Sequence, residues 1–359
     1  LLVYASSWFK LHYPAAFLAG LLRAQPMGFY SPQSLVQDAK RHGVEVRRPC
    51  IVSSRAQAGL EPLAAVVEVR APATVVEVRA PASLETPVTG LPTCLEPYHQ
   101  PTPYDADNPD PTLTHRRDAA FAVRLGLDEV RGIGDDVAAR IVAARDEKPF
   151  RDMVDLSRRA GLDSGQLEAL ATAGAFEVWG MSRRDALWHA GFTEREDQLE
   201  GAAAVISAPM LPGLDPVGVT LSDLWATRIS PDGHPITHLR AALTDVGIKS
   251  VAEMFQAESG RRVHVAGLVT HRQRPSTAGG VTFLNLEDET GMLNVICTEG
   301  VWNRYRKVAR NASGMVIRGI VERTDGVANL LADKLSTLES VSPHAEQALQ
   351  ARHRSRDFQ

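Results

Sequence analysis

Within Val130–Val142 (VRGIGDDVAARIV), Gly132 and Gly134 flank the apolar Ile133, and a helical pattern starts immediately after them. Glycine reaches positive φ without steric cost, so the chain can turn tightly here. A turn of this kind leaves backbone N–H groups unpaired at the start of a helix, with the helix dipole behind them. Those donors suit a single phosphate. The expected chemistry is a grip on a nucleic-acid backbone that ignores base sequence. Arg131, Arg140, Arg145 and Lys148 lie close by in sequence and would add positive charge. The competing reading is a glycine-containing turn between helices that binds nothing. Ala138, small where two helices must approach, and apolar stripes on either side favour the binding reading.

A second set of candidates lies in a segment of alternating residues. Phe283 could stack on a base, Asn285 or Asn294 could make polar contacts, and Arg272 and Arg274 sit beside a Gly279-Gly280 loop where they could meet phosphates. The alternative is that Phe283 belongs to the core and the arginines to a solvated rim, because alternation does not say which face points inward. Trp302 and Tyr305 fit better as barrel caps than as base-stacking groups. No catalytic set is visible: the chain has no HExxH, no phosphate-binding G-x-x-x-x-G-K-[ST] and no G-x-S-x-G. His234 and His238 stand four apart, a spacing zinc sites use. With no cysteine or carboxylate placed to complete the shell, a surface pair is the better expectation. Asp105-Ala106-Asp107 lies among prolines and reads as a solvated linker.

The elements needed to position these residues follow from period and punctuation. Residues 1–49 read as helical: Phe17, Leu18, Leu21 and Leu22 form an apolar face, Ser31-Pro32 starts a further helix and Gly43 stops it. Residues 50–117 are proline-rich and carry a nine-residue unit twice, Ala65–Ala73 and Thr74–Ala82. The expectation there is a variable surface insert, either a ribbon or disordered. Residues 118–190 read as a tandem helix-hairpin-helix. Its second hairpin, Leu162–Leu170 followed by Gly174-Ala175-Phe176, lacks the G-x-G turn and is expected to pack without strong phosphate binding. A linker with short helices spans 191–258. Residues 259–338 give five strands with a helix, Trp302–Arg310, between the third and fourth. That is the order of an OB-fold barrel, and a tail follows over 339–359. The fold class is multidomain α + β.

A chain of 359 residues implies two or three domains. The net charge of −4 offers no general basic field, so charge must be read locally. Arg261–Lys334 holds eleven Lys and Arg against seven Asp and Glu, whereas the hairpin region is close to neutral. Phosphate binding at the hairpin would therefore rest on backbone donors. Cys50, Cys94 and Cys297 are odd in number and have no CxxC pairing, which argues against a disulfide scaffold or zinc site and fits a reducing cytoplasm. No apolar run has membrane-spanning length. The chain opens without a Met inside an apparent helix, so an upstream part is expected.

Several stretches resemble the C-terminal part of bacterial C-family DNA polymerases of the DNA polymerase III alpha-subunit type, and in particular their error-prone, damage-tolerance members. These are His12–Phe17 (HYPAAF), Leu21–Tyr30 (LLRAQPMGFY), Ser31–Val46, Leu125–Ile141, His271–Gly291 and Ser355–Phe358. The resemblance fades over about 50–117. It implies that residues 1–49 end the polymerase fingers and that Gln25–Tyr30 border the incoming-nucleotide region, although a rigid turn of Pro26–Tyr30 packed on the fingers core is the favoured reading of those residues. It further implies that Gly132, Ile133 and Gly134 hold a phosphate of primer-template duplex, and that the OB face lies near single-stranded template or serves a partner. The parent would be a DNA-directed nucleotidyltransferase whose palm aspartates, absent from this chain, hold Mg2+. It would reach the sliding clamp through accessory proteins of a mutagenesis complex, including a Y-family-like subunit. This chain alone is then expected to bind DNA without catalysing synthesis. A stand-alone nucleic-acid-binding module and an inactive polymerase remnant remain the alternatives.

Overall fold

The structure, a computed structural model, describes residues 2–28, 30–63, 116–191, 209–324 and 327–340, and the backbone of 356–358. The duplicated unit and Asp105-Ala106-Asp107 lie outside the described residues.

The N-terminal helices are α1 (Leu2–His12), α2 (Pro14–Arg23) and α3 (Pro32–Arg41). Helix α3 starts where its sequence indicates: the Ser31 hydroxyl accepts the Ser34 N–H and Pro32 occupies the first turn. Gly43, at φ 79°, turns the chain out of that helix. Ala15, Leu18 and Leu22 of α2 pack on Val36 and Ala39 of α3 and on Val123, Leu125 and Ile229 from farther along the chain. Strand β1 (Val46–Arg47) pairs parallel with β3 (Phe121–Arg124), and β2 (Gly59–Pro62) pairs antiparallel with the same strand. The buried Asp118 carboxylate accepts the Ala15 and Ala16 N–H groups at the start of α2. Residues 50–63 therefore differ from the expected insert. Ile51 lies in the hairpin core and β2 completes a sheet, because both ends of this connection are anchored by apolar packing.

Helices α4 (Asp135–Glu147), α5 (Met153–Ala160), α6 (Ser164–Thr172) and α7 (Arg183–Gly191) form the hairpin domain. Ile133, Ala138, Ile141, Leu156, Leu167, Leu170 and Phe176 share its core. Between α5 and α6 the chain turns through Gly161, in the left-handed region, and Asp163, which forms a capping box with Gln166.

Residues read as a linker are packed into both neighbouring domains. Helix α8 (Pro216–Thr227) contributes Ala226 to the hairpin core. Ile236, Leu239 and Leu243 pack with Ala266, Val316 and Leu338 of the barrel. Two short helices follow, α9 (Arg240–Asp245) and α10 (Val251–Phe255). His234 and His238 are not a surface pair. His234 is buried and its Nδ1 accepts the Ile236 N–H, while His238 Nε2 lies 2.9 Å from Thr220 Oγ1. Their spacing reflects a short helical turn in which each ring has a structural partner.

The barrel is built from β4 (Arg262–Gln273), β5 (Thr282–Glu287), β6 (Met292–Cys297), β7 (Gly314–Thr324) and β8 (Val327–Thr337). The order β5-β6-β8-β7-β4 closes through β4–β5 pairing. Strand β4 is long enough to pair with β7 along its first half and with β5 along its second. Helices α11 (Glu299–Arg304) and α12 (Arg306–Asn311) fill the connection between β6 and β7, and Trp302 and Tyr305 pack against the barrel core as expected. Strand β9 (Arg356–Phe358) runs parallel to His271–Gln273. The N-terminal helices dock on the barrel: Ser34 Oγ donates to Glu287 Oε2 over 2.7 Å, and Arg41 stands 3.8 Å from the other carboxylate oxygen. Burial pushes the Glu287 carboxyl up to about 7.

Candidate nucleic-acid interface

The turn before α4 leaves backbone donors unpaired at a helix start. Gly132 adopts φ 79°, and Gly134 is the N-cap residue of the thirteen-residue α4 with no side chain capping the helix. Both glycines are exposed, and neither N–H meets an acceptor among the described residues. Ile133 does something else. Its side chain is buried in the core and its N–H donates to Val130 O over 2.9 Å, so it anchors the turn and offers no donor. Two amides rather than three are therefore available. The second hairpin has the opposite chemistry, since Asp163 Oδ1 already accepts the Gln166 N–H at the corresponding helix start. Gln166 Nε2 in turn reaches Gly132 O at 3.5 Å, which joins the two turns.

The structure redistributes the nearby cations. Arg131 is exposed beside the glycines. Arg140 points to the second hairpin and donates to Ala160 O and Gly161 O, the carbonyls that end α5. Arg145 donates to Ile51 O and Ser54 O and so ties α4 to the preceding loop. Lys148 is exposed at the far end of α4, about 20 Å from Gly134 at 1.5 Å rise per residue. These three do not gather at the Gly132–Gly134 turn. Helical rise and unpaired carbonyls decide their positions, and sequence proximity does not.

Acidic groups flank the turn. Burial, followed by the charge of Asp135, raises the Asp128 carboxyl to about 6. Burial and Asp128 together raise Glu129 to about 7. Both carboxyls hold protons more tightly folded than unfolded, so their charge is expressed, at a cost, as pH rises through 6 to 8. Lowering pH from 8 to 6 should discharge them and strengthen duplex DNA binding about two- to threefold. Anisotropy titrations at constant ionic strength would measure this, and Glu129→Gln should flatten the pH dependence.

On the barrel, β5 turns Leu284 and Leu286 inward and Phe283 and Asn285 outward. Phe283 is registered with Ile296 and Gln273, and Asn285 with Asn294 and His271. Phe283, Asn285 and Asn294 thus share one half-exposed outer face, where Asn294 Nδ2 donates to Asn329 Oδ1 over 2.9 Å. Arg272 is not on it. This side chain is buried and donates to Ala309 O and Ala312 O at the end of α12. A strand residue of opposite parity has to point inward, where those carbonyls need a donor. Arg274 is on the rim, 3.5 Å from Glu299. Tyr30, expected against the fingers, instead sets its ring edge-on to His271 of the barrel, 5.4 Å between centroids.

Tertiary packing also brings the end of α8 to the hairpin: Ala226 O accepts the Arg131 N–H and the Arg131 guanidinium lies over the Trp225 ring, a contact between distant segments that no local pattern signals. The family model described as a helix-hairpin-helix motif matches residues 43–186, and one described as an OB-fold nucleic acid binding domain matches residues 263–338. The error-prone DNA polymerase of Cutibacterium acnes is 47% identical over 95% of this chain, and that of Mycolicibacterium paratuberculosis is 44% identical over 99%. This chain is homologous to error-prone DNA polymerases. The Mycobacterium tuberculosis error-prone DNA polymerase, at 43% identity over 99% of the chain, agrees. The chain spans 27–29% of the length of these error-prone DNA polymerases. Among solved structures, the asparaginyl-tRNA synthetase of Pyrococcus horikoshii aligns with 28% of this chain and 29% of its own. Identity is 21% and the TM-score 0.22, too low to bear on the fold. Among the described residues no helix is long and apolar enough to cross a membrane.

Proposed function

We propose that this chain is the DNA-holding, C-terminal portion of a bacterial error-prone DNA polymerase acting in damage tolerance. The observation that carries the reading is that Gly132 and Gly134, exposed at and just before a helix start, have backbone N–H groups with no internal acceptor among the described residues. They would hold a backbone phosphate of primer-template duplex behind the active site. The outer barrel face of Phe283, Asn285 and Asn294 would take single-stranded template by stacking and polar contact. Homology over nearly the whole chain supports the assignment to a polymerase.

Magnesium chemistry belongs, on this reading, to the palm of the longer parent. The residues here do not fit it: among the described residues no three His, Cys, Asp or Glu side chains come together to hold a metal. Synthesis, lesion bypass and contact with the sliding clamp through accessory proteins, a Y-family-like subunit among them, would be properties of the full polymerase in the cytoplasm.

Gly134→Val tests the reading. A Cβ at Gly134 meets nothing within 4 Å and φ is −81°, so the fold should accept the side chain. The added bulk would stop a phosphate from reaching the amides. Losing these charge-assisted bonds should weaken duplex binding about tenfold with unchanged Tm. Wild-type binding should be independent of sequence and weaken with salt. Salt-insensitive binding, or equal affinity in wild type and variant, would defeat the assignment.

A further inference from the structure

Helix α8 ends beside the glycine turn. Arg131 donates its N–H to Ala226 O over 2.7 Å, and its guanidinium carbon lies 4.8 Å from the centre of the Trp225 ring. Trp225 is 49% exposed, unusual for a large aromatic side chain on a helix whose other face supplies a core residue. Three residues on, Arg228 is the C-cap of α8 with φ 62°, the one non-glycine residue at positive φ among the described residues. Glycine takes that conformation without strain and is the usual residue at such a helix end. Arg228 is exposed and forms no close ion pair among the described residues, although its charge reaches Glu129 and acts against the burial that raises that carboxyl. A longer-range attraction to Glu129 does not require a side chain at positive φ, and strain of this kind concentrates at functional sites.

We propose that Arg131, Trp225 and Arg228 form a second backbone-binding strip for double-stranded DNA, set beside Gly132–Gly134 by α8. The inference rests on the hairpin reading above and extends it to an element outside the hairpin. The indole face holds the Arg131 guanidinium in one orientation, which lowers the ordering cost of a phosphate contact. Arg228 presents its charge from the same helix end and would meet a neighbouring phosphate. Trp225 is a positioning residue, acting through Arg131.

The test uses the 359-residue chain with a fluorescent duplex oligonucleotide across a salt series. Arg228→Gly should raise Tm by a few degrees, because strain is relieved, and yet weaken duplex binding three- to fivefold. The slope of log affinity against log salt should fall by about one. Arg228→Lys should keep both the wild-type affinity and the slope. Trp225→Leu should weaken binding about threefold with little change in Tm, and Trp225→Leu combined with Arg131→Ala should be no weaker than Arg131→Ala alone. A higher Tm for Arg228→Gly with affinity and slope unchanged would overturn the strip. Gly134→Val run in parallel separates the two readings: if it weakens binding while Arg228→Gly does not, only the strip fails. If wild type does not bind duplex, both fall.

Discussion

Replacing Asp223 with alanine should cost about 3–5 kcal/mol of folding stability, the range expected when one partner of a buried charge cluster is removed. Asp223 is 1% exposed. Arg48 spans it from the N-terminal region, with Nε to one carboxylate oxygen and Nη2 to the other, both at 3.0 Å. Arg183 of α7 donates Nη2 over 2.6 Å, and Ser230 donates its hydroxyl over 3.2 Å. Burial alone would lower the Arg48 pKa, but Asp223 together with Asp232 and Glu177 outweighs that and raises it. Without the carboxylate, Arg48 would keep Asp232 at 2.6 Å and Arg183 would keep Glu177 at 3.2 Å, but the two guanidinium groups would lose the buried counter-charge they share. Because the three arms come from the N-terminal segment, the hairpin domain and α8, the loss should appear as a lower urea midpoint for all three together. Duplex affinity should also fall, since α8 would no longer be held against the hairpin. A stability loss below about 1 kcal/mol would show that Ser230 and water replace the carboxylate.

Gly319→Ala should destabilise the barrel by about 3 kcal/mol or more, near the upper end for overpacking. The added Cβ would lie 2.5 Å from Leu331 O and 2.8 Å from Leu330 Cγ, and the closest obstacle is backbone that cannot rotate away. Gly319 sits at the register shift between β7 and β8. Gly267→Ala on β4 should behave alike, since its Cβ would meet Glu287 O at 2.7 Å. Thermal unfolding of both variants checks this. Gly279→Ala makes a useful contrast, because nothing lies within 4 Å and only its positive φ resists substitution.

Local signals are legible in the sequence. The Ser31-Pro32 start, the Gly43 stop, the G-x-G turn and the five alternating strands all depend on residues within one turn or one strand of each other, and each lies where its chemistry directs. Other features are set by distant segments. Arg140, Arg145 and Arg272 look like phosphate ligands by type, yet each satisfies carbonyls of another segment. Arg272 also lies one residue out of phase with the exposed face, an offset no alternation pattern resolves without knowing the inward side. Residues 50–63 and 209–258 looked like connections because their prolines and short periods hid the few apolar anchors, Ile51, Ala226 and Ile236, that draw them into the cores. Asp223 offered no signal at all, because its partners are Arg48 and Arg183, far away in the chain.

The amino-acid order alone set the glycine turn, the helix starts and the barrel's strand succession, because backbone dihedral limits and side-chain periodicity act over a few residues. Tertiary structure decided which cations stay in solvent, which carboxylates are buried, and that Trp225 and Arg228 stand beside Gly132–Gly134. Those outcomes depend on desolvation and on hydrogen-bond partners supplied by distant segments, and both exist only once the chain has closed on itself.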